Sequence, residues 1–235
     1  MNLKGLTITP LGDAAIIINF ENRIDETLSS SVLYLFEKIK KISFPFVKDI
    51  VPGYSSLVIF YDLLIMNNQK TLNKFSLKSF TDQITNLIKE DIEFSSLPSR
   101  KIKIPLCYSE KYALDINSIA NKNNISVDDV ITLHSSTKYR VYMIGFLPGF
   151  AYMGPVDERI AIDRKTQPRT VVEAGSVGIA GRQTGIYPLD SPGGWQIIGK
   201  TPLKIFDKKN DEPVLLQPGD EIEFYPITED EFTNY

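Results

Sequence analysis

Residues 174–202 read AGSVGIAGRQTGIYPLDSPGGWQIIGKTP, and this stretch decides the fold class of the second half of the chain. Short runs of β-prone residues alternate there with glycine and proline turns, and few windows have the spacing of an amphipathic helix. The same pattern extends on both sides of the stretch, from residue 139 towards the C-terminus. Many short strands with few helices indicate a β-barrel or a β-sandwich. The predicted strands are residues 140–144, 177–180, 185–187, 196–198, 203–206 and 221–225.

The first half of the chain predicts a different architecture, in which strands and helices alternate. Residues 14–20 read AAIIINF, an apolar run that is typical of a buried strand, and Asp25 is placed to cap the helix that follows. The order strand, helix, strand, strand, helix, strand predicts a ferredoxin-like βαββαβ domain of the α+β class. The predicted strands are residues 14–20, 47–51, 56–61 and 101–106, and the predicted helices are residues 28–42 and 77–88.

These two patterns divide the chain into three predicted segments. Residues 1–107 form the ferredoxin-like α+β domain, residues 108–138 form a helical connector, and residues 139–235 form the β-barrel domain. Within the connector, Ser126 and Asp129 have the spacing of a capping pair at the start of a helix. We expect the connector to join the two halves of the chain.

The composition excludes several classes of function. The 235 residues carry a formal net charge of -3, so no broad excess of Lys and Arg is available to bind nucleic acid or a membrane surface. One histidine and one cysteine cannot build a zinc site from several His and Cys ligands, and we assign no metal to the chain. No apolar run is long enough to cross a bilayer, and the N-terminal residues lack the pattern of a secretory signal. We therefore expect a cytoplasmic protein.

A series of motifs in the second half of the chain carries a family resemblance. The motifs are GFLPGFAY at residues 145–152, PRT at 168–170, QTGIYP at 183–188, SPGGW at 191–195 and GKTP at 199–202. In this order they resemble the B subunit of the bacterial ATP-dependent 5-oxoprolinase, a family also described as the sensor-kinase inhibitor KipI. The chain is also similar to allophanate hydrolase subunit 1 and to the carboxyltransferase-type domain of urea carboxylase. Residues 109–114 depart from the family pattern.

The resemblance implies a fold, an activity and a set of partners. It implies a ferredoxin-like first domain, a cyclophilin-like β-barrel second domain, and assembly with the C subunit (KipA-like) and the A subunit of 5-oxoprolinase. The complex is expected to hydrolyse 5-oxoproline to glutamate with ATP and Mg2+ as co-substrate, and this chain alone is expected to be inactive and is assigned no cofactor. Two alternatives stay open: a non-enzymatic inhibitor that binds a sensor histidine kinase, and a component of a urea- or allophanate-processing enzyme.

Three residues are candidates for catalysis. Arg169 lies inside the PRT motif, and its guanidinium can bind a carboxylate or a phosphate with two hydrogen bonds. Gln183 offers a donor and an acceptor to an amide such as the lactam of 5-oxoproline, although stabilisation of a turn explains it nearly as well. His134 titrates near neutral pH and is a candidate general base, and a satisfied histidine between the domains is the alternative.

Two motifs are candidates for the lining of a pocket, because aromatic rings supply apolar walls and glycines allow close approach. The alternatives are a barrel corner with core aromatics for GFLPGFAY, and a tight hairpin with its tryptophan in the core for SPGGW. Arg140 is a further candidate for anion binding, with a surface ion pair as its alternative. The candidates from the two motifs are Phe146, Pro148, Gly149, Phe150, Tyr152, Gly193, Gly194 and Trp195.

Residues 194–201 satisfy the phosphate-loop formula G-x-x-x-x-G-K-[ST]. A phosphate loop must be followed by a helix whose N-terminal amides meet the phosphates. Here the variable positions hold Trp, Gln and two Ile, which favour an extended strand, and Pro202 follows. The segment is therefore predicted to be a strand and not a nucleotide site.

Overall fold

The computed structural model describes residues 6–67, 76–90 and 99–235, and the chain divides into two units between residues 98 and 99. In the first unit, four strands form one antiparallel sheet in the order β1-β2-β4-β3. The described residues of this unit also form three helices. Its elements are β1 (Thr7–Pro10), β2 (Ala15–Asn19), α1 (Glu26–Ile42), β3 (Val47–Pro52), β4 (Ser56–Tyr61), α2 (Leu63–Asn67) and α3 (Leu77–Glu90).

The core of the first unit lies on one face of this sheet. Ile16 and Ile18 of β2 lie opposite Ile59 and Leu57 of β4, and all four side chains are fully buried. Buried apolar side chains of α1 and α3 belong to the same cluster. Burial of each large apolar side chain contributes roughly 1.5–3 kcal/mol relative to exposure, which is why α1 and α3 cover this face.

Helix α1 begins where the sequence predicts. The side chain of Asp25 accepts a hydrogen bond from the Leu28 N–H at 3.0 Å, which confirms the predicted cap. The helix ends at Ile42, and the capping residue Ser43 takes a left-handed conformation with φ 54° and donates its N–H to the Ile39 carbonyl at 3.3 Å. None of the helices in the described residues combines the length and the apolar character that a membrane crossing requires.

A closed barrel of seven strands forms the centre of the second unit. Its elements are β5 (Lys101–Cys107), α4 (Ile116–Asn123), α5 (Val127–Ser135), β6 (Lys138–Ile144), β7 (Ala151–Gly154), a 3-10 helix (Glu158–Ile160), β8 (Arg169–Val172), β9 (Ser176–Ala180), β10 (Gln183–Ile186), β11 (Ser191–Gly193), β12 (Gln196–Lys200), β13 (Glu221–Ile227) and α6 (Glu229–Thr233). The barrel order is β10-β7-β6-β13-β5-β12-β9, and β8 pairs with β11 in a separate two-stranded sheet. The barrel predicted for the second half is confirmed, and its cyclophilin-like character stays a prediction.

Strand β5 belongs to the barrel and not to the first unit. It runs parallel to β13 from the pair Lys101 and Glu221 to the pair Cys107 and Ile227, and Cys107 also lies opposite Lys200 of β12. The assignment of residues 101–106 to the last strand of a ferredoxin-like domain is therefore wrong, and the ferredoxin-like order is not confirmed. The local alternation of KIKIPL indicates a strand, but it carries no information about which distant strand pairs with it.

The segment predicted as a connector contributes to the core of the second unit. Ile116 and Ile119 of α4 and Val130 of α5 are buried in the same cluster as the barrel side chains. The capping pair at the start of α5 is confirmed. The Ser126 hydroxyl accepts from the Asp129 N–H at 3.0 Å, and the Asp129 carboxylate accepts from the Ser126 N–H at 2.9 Å.

Residues 203–206, predicted as a strand, form no regular strand in the structure. Phe206 makes one isolated bridge with Val214, and the Leu215 N–H donates to the Ile205 carbonyl at 2.9 Å. The apolar alternation of this segment arises because Ile205 is buried in the barrel core and Leu203 packs against that core. A loop with inward apolar residues thus imitates the pattern of a strand.

An ion pair between the exposed Arg100 and the buried Asp220 fixes the start of β5 beside the start of β13. Arg100 donates from Nε to one carboxylate oxygen of Asp220 at 2.8 Å and from Nη2 to the other at 2.6 Å. The second oxygen also accepts from the Gln217 N–H at 2.7 Å, and the side chain of Asp220 is only 3% exposed. This two-pronged geometry joins two strands that are far apart in the sequence.

We expect Asp220→Ala to lower the free energy of unfolding of the second unit by about 1–3 kcal/mol, because it removes a buried carboxylate that accepts two hydrogen bonds from the Arg100 guanidinium and one from the Gln217 N–H. Glu158→Ala is the matched control, since Glu158 pairs with Arg182 at 3.1 Å with both side chains well exposed. That substitution should cost no more than about 0.5 kcal/mol. Urea unfolding, monitored by Trp195 fluorescence, measures the free energy of unfolding of both variants. Equal losses of this free energy would contradict a stabilising role for the ion pair of Arg100 and Asp220.

Candidate functional site

Phe150 is the centre of an aromatic cluster in the second unit. Its ring centroid lies 5.6 Å from that of Phe146, 5.1 Å from Tyr187 and 5.4 Å from Trp195, and these three contacts are edge-to-face with interplanar angles of 84° to 89°. Tyr152 lies 4.8 Å from Phe150 in a tilted arrangement. Edge-to-face contacts place the positive ring edge against the negative face, so the cluster has a defined geometry.

Glycines make room for these rings. A Cβ atom on Gly185 would lie 3.0 Å from both the Phe150 and the Trp195 ring and 2.9 Å from the carbonyl oxygen of Ala151. A Cβ atom on Gly193 would lie 2.8 Å from ring carbons of Tyr187. Both glycines are therefore required by close packing, and their role is to let backbone and rings approach each other.

The cluster forms the wall of an open cavity of about 230 Å³. Six of its lining residues were predicted from the two motifs, and four were not. The cavity is lined by the predicted Phe146, Phe150, Tyr152, Gly193, Gly194 and Trp195, and in addition by Arg164, Pro168, Tyr187 and Pro192.

For the two aromatic motifs the sequence left open whether the rings line a pocket or belong to the core, and the structure shows both. Phe150 is 1% exposed and Trp195 is 4% exposed, so both rings are core residues as well as walls of the cavity. Phe146 differs, because it is 62% exposed and adopts a left-handed backbone conformation with φ 64°. A bulky residue rarely adopts this conformation, so the loop holds the Phe146 ring at the cavity against its backbone preference.

Arg164 lies against the indole of Trp195. Its guanidinium carbon is 5.9 Å from the ring centroid, within the range of a cation–π contact. Burial raises the pKa of Tyr187 above its ordinary value, while a hydrogen bond from the backbone of Trp195 and the positive charges of Arg164 and Arg169 act in the opposite direction. The cavity therefore combines apolar walls with positive charge.

A buried carboxylate organises two cations beside the cavity. One oxygen of Asp115 accepts from Arg169 Nη2 at 2.8 Å and from Lys165 Nζ at 3.0 Å, and the other accepts from the Ile197 N–H at 2.7 Å. Burial acts to raise the pKa of Asp115, but the hydrogen bonds from Arg169, Ile197 and Lys165 outweigh burial and lower it below the ordinary value. Asp115 is therefore a charged anchor near neutral pH.

The anchor fixes Arg169 next to the cavity wall. Arg169 follows Pro168, which lines the cavity, and the Lys165 N–H donates to the Gly194 carbonyl at 2.7 Å. Arg169 Nη1 is buried and has no hydrogen-bond partner among the described residues. A guanidinium N–H that is buried without an acceptor is costly, so this atom is a candidate for contact with a ligand or a partner.

His134 lies in the core of the second unit, where its side chain is fully buried. Its Nδ1 is 2.7 Å from the Tyr108 hydroxyl, and its Nε2 is 3.0 Å from the Thr184 hydroxyl. Burial lowers its pKa from 6.5 to about 3, so the ring is neutral near neutral pH. This position agrees with the alternative of a histidine whose hydrogen bonds are satisfied. The residue lies within the second unit, however, and not between the domains. It does not support a catalytic role, because the ring has no access to a substrate.

The remaining candidates lie outside the cavity lining. Pro148 is exposed and Gly149, with φ 86°, is buried in the loop that carries Phe146. Gln183 begins β10 and shares one face of that strand with Gly185, because side chains alternate along a strand. Arg140 is half-buried in β6, opposite Gly154 and Glu221 of the neighbouring strands.

Four lining residues were missed for different reasons. Tyr187, Pro168 and Pro192 lie inside motifs that were recognised, so the motifs marked their neighbourhood but not their contact with the cavity. Arg164 lies outside every motif, and no local pattern distinguishes it from a surface arginine. The segment with the phosphate-loop formula contains β12, so the predicted strand is confirmed.

Comparison with known proteins identifies relatives of this chain. Residues 6–216 match the family model described as carboxyltransferase domain, subdomain C and D. A Bacillus subtilis (strain 168) protein, named as the B subunit of 5-oxoprolinase, is 39% identical over 232 residues, which cover 97% of this chain and 95% of that protein.

Two solved structures match most of this chain but a minor part of their own length. The crystal structure of TTHA0988 matches with a TM-score of 0.76 and 30% identity, over 91% of this chain and 40% of that chain. The crystal structure of the K. lactis urea amidolyase matches with a TM-score of 0.77 and 26% identity, over 97% of this chain and 15% of that chain. In both structures the fold of this chain is one part of a longer polypeptide.

We expect Gly185→Ala to destabilise the second unit by about 1–3 kcal/mol, because the added methyl group overlaps two rings and a carbonyl oxygen. Gly194→Ala is the control, since its Cβ would meet its nearest neighbours at ordinary distances of 3.6 Å and longer. The control should change the free energy of unfolding by less than about 0.5 kcal/mol. Urea unfolding of both variants is the measurement, and a Gly185→Ala variant as stable as the control would contradict the packing argument.

We expect the free energy of unfolding of the second unit to decrease as the pH falls below 6.5, because His134 is buried in its neutral form. The unfolded histidine takes up a proton near its ordinary pKa of 6.5, whereas the folded one does so only near 3, so acid favours the unfolded state across this window. The loss between pH 6.5 and 5 is roughly 1.5–2 kcal/mol. His134→Gln should be less stable at neutral pH and should lack this slope. Unfolding measured at several pH values tests it, and identical slopes for both proteins would disprove the assignment.

Proposed function

The chain belongs to the family of the 5-oxoprolinase B subunit within the carboxyltransferase-domain family, and we propose that it works in a complex that hydrolyses 5-oxoproline to glutamate with ATP. The observation that carries this proposal is the similarity to the B. subtilis protein over nearly the whole length of both chains. A match to one whole subunit favours a chain that works with partners, which we take to be the A and C subunits of the enzyme. We also propose that the barrel is of the cyclophilin-like kind.

The reaction requires activation of a stable amide. Phosphoryl transfer from ATP, with Mg2+, to the lactam oxygen would make the ring carbon open to attack by water. Such an intermediate needs shelter from bulk water and positive charge near the developing oxyanion. The aromatic cavity supplies an apolar surface of suitable size for a small ring, and the cations beside it supply positive charge.

Arg169 is the proposed source of that charge in this chain. Its Nη2 is fixed by Asp115, and its buried Nη1 has no partner among the described residues, so a substrate group that reaches Nη1 in the assembled complex would meet an unused donor. Gln183 is proposed to contact the lactam amide in the assembled complex. His134 has no place in this proposal, because its ring is enclosed in the core.

The nucleotide is proposed to bind elsewhere in the complex. The segment with the phosphate-loop formula contains β12, which cannot present helix N-terminal amides to phosphates. The described residues hold no group of three or more His, Cys, Asp or Glu side chains that could bind a metal ion. We therefore derive no step of the phosphoryl transfer through this chain.

A second candidate is a role in urea or allophanate processing, which the 26% identity to urea amidolyase favours. Turnover of urea and allophanate by the same preparation separates this candidate from the first. Inhibition of a sensor histidine kinase stays a prediction, and saturable binding to a cognate kinase would support it.

The test of the proposed function is glutamate and ADP release from 5-oxoproline and ATP by three reconstituted subunits. We expect release only when this chain is present. Arg169→Ala and Gln183→Ala should lower turnover by about tenfold or more in complexes that still assemble. Arg182→Ala is the control beside Gln183, because Arg182 is exposed and pairs with Glu158, and it should leave turnover unchanged. Full turnover by both alanine variants would reject the assigned roles, and no release from the complete complex would reject the function.

A further inference from the structure

We infer that Arg164 selects the ligand of the aromatic cavity by its charge, so that the cavity takes a small ring that bears a carboxylate. The identity of the ligand as 5-oxoproline rests on the proposed function, whereas the preference for an anion rests on the structure of this chain. Arg164 is exposed at the cavity and belongs to none of the family motifs.

The charge of Arg164 is not neutralised by the described part of the protein. Within those residues, no carboxylate lies within the 4.0 Å of an ion pair from this guanidinium. Four other arginines of the second unit do have such partners. They are Arg100 with Asp220, Arg159 with Asp157, Arg169 with Asp115 and Arg182 with Glu158. Arg164 is therefore placed to pair with a charge that comes from outside the described residues.

The cavity concentrates the effect of this charge. Of the ten lining residues in the described part, Arg164 is the one that is charged, and the others are aromatic, proline or glycine. The contact with the Trp195 ring at 5.9 Å holds the guanidinium beside the cavity without consuming its N–H donors. Apolar walls displace part of the surrounding water and so strengthen an ion pair relative to one in bulk solvent.

These features specify the chemistry of the ligand. A guanidinium offers two parallel N–H donors that match the two oxygens of a carboxylate. The rings of Tyr152 and Trp195 and the exposed ring of Phe146 offer a surface for a small, flat body. 5-Oxoproline has both parts, a lactam ring and a carboxylate on the neighbouring carbon. A neutral analogue of the same shape would keep the ring contacts and lose the ion pair.

The chain contains one tryptophan, so binding can be followed at the site itself. Trp195 fluorescence of the full chain is titrated with three probes, which are 5-oxoproline, the neutral amide of 5-oxoproline, and acetate. The wild-type chain should bind 5-oxoproline at least about tenfold more tightly than the amide, the effect of one charged hydrogen-bonded contact. Acetate should bind weakly, because it lacks the ring.

Three variants distinguish the effect of the positive charge at residue 164, the effect of the guanidinium geometry, and the effect of removing any exposed arginine. Arg164→Gln should remove the preference for 5-oxoproline over the amide, and Arg164→Lys should keep part of it, because Lys retains the charge but not the fork. Arg182→Gln should behave as the wild type, since Arg182 is an exposed arginine that does not line the cavity. In the assembled complex, Arg164→Gln should raise the KM for 5-oxoproline by about tenfold with little change in kcat.

The outcomes distinguish this inference from the proposed function. An undiminished preference in Arg164→Gln, or no titration of the wild-type chain together with an unchanged KM for that variant, overturns the inference while the enzyme proposal stands. A complex that releases no glutamate, together with a chain whose carboxylate preference depends on Arg164, overturns the proposed function and leaves an anion-selective cavity. Loss of the preference in Arg164→Gln but not in Arg182→Gln supports the inference.

Discussion

The closure of the barrel by β5 is the constraint on which the second unit depends. This strand lies between β12 and β13, so without it both neighbours would expose unpaired edges. Its attachment to β12 requires close approach, because a Cβ atom on Gly199 would lie 2.7 Å from the Cys107 carbonyl oxygen. The pair Arg100 and Asp220 fixes the opposite end. Because Trp195 directly precedes β12, the closure of the barrel also fixes the position of this tryptophan in the cavity wall.

Strand β10 has a different environment on each of its two faces, a polar network in the barrel core on one and the aromatic cluster on the other. The side chain of Thr184 meets the neutral ring of His134 in the core, where both nitrogens of that ring are engaged. The next residue, Gly185, faces the other way and lets the Phe150 and Trp195 rings pack against the strand. Because side chains alternate along a strand, one local sequence serves both a sealed polar core and an aromatic cavity. The fully engaged network suits stability, and the open cavity suits binding.

The sequence predicts these features to different degrees, for physical reasons. Caps such as Asp25 and the pair Ser126 and Asp129 are predictable because a cap involves residues three positions apart. The partner of β5 is not, since its pairing depends on residues far along the chain. Recognition of the motifs found six of the ten lining residues, but it could not find Arg164. That residue becomes distinctive only through what surrounds it, namely the indole on one side and the absence, among the described residues, of a carboxylate within ion-pair distance.

The charge beside the cavity also shows why the overall charge is a poor guide to the ligand. The chain carries a net charge of -3, yet Arg164, Lys165 and Arg169 lie close together in the sequence, and the buried carboxylate of Asp115 pairs with only the last two. Asp163 adds a negative charge nearby, but its side chain is 94% exposed and is therefore screened by solvent. Among the described residues, the charge without a carboxylate partner beside the apolar walls is positive, and these walls displace part of the water that would otherwise weaken an ion pair formed there. An anionic ligand is thus attracted to one cavity of a protein whose net charge is itself negative.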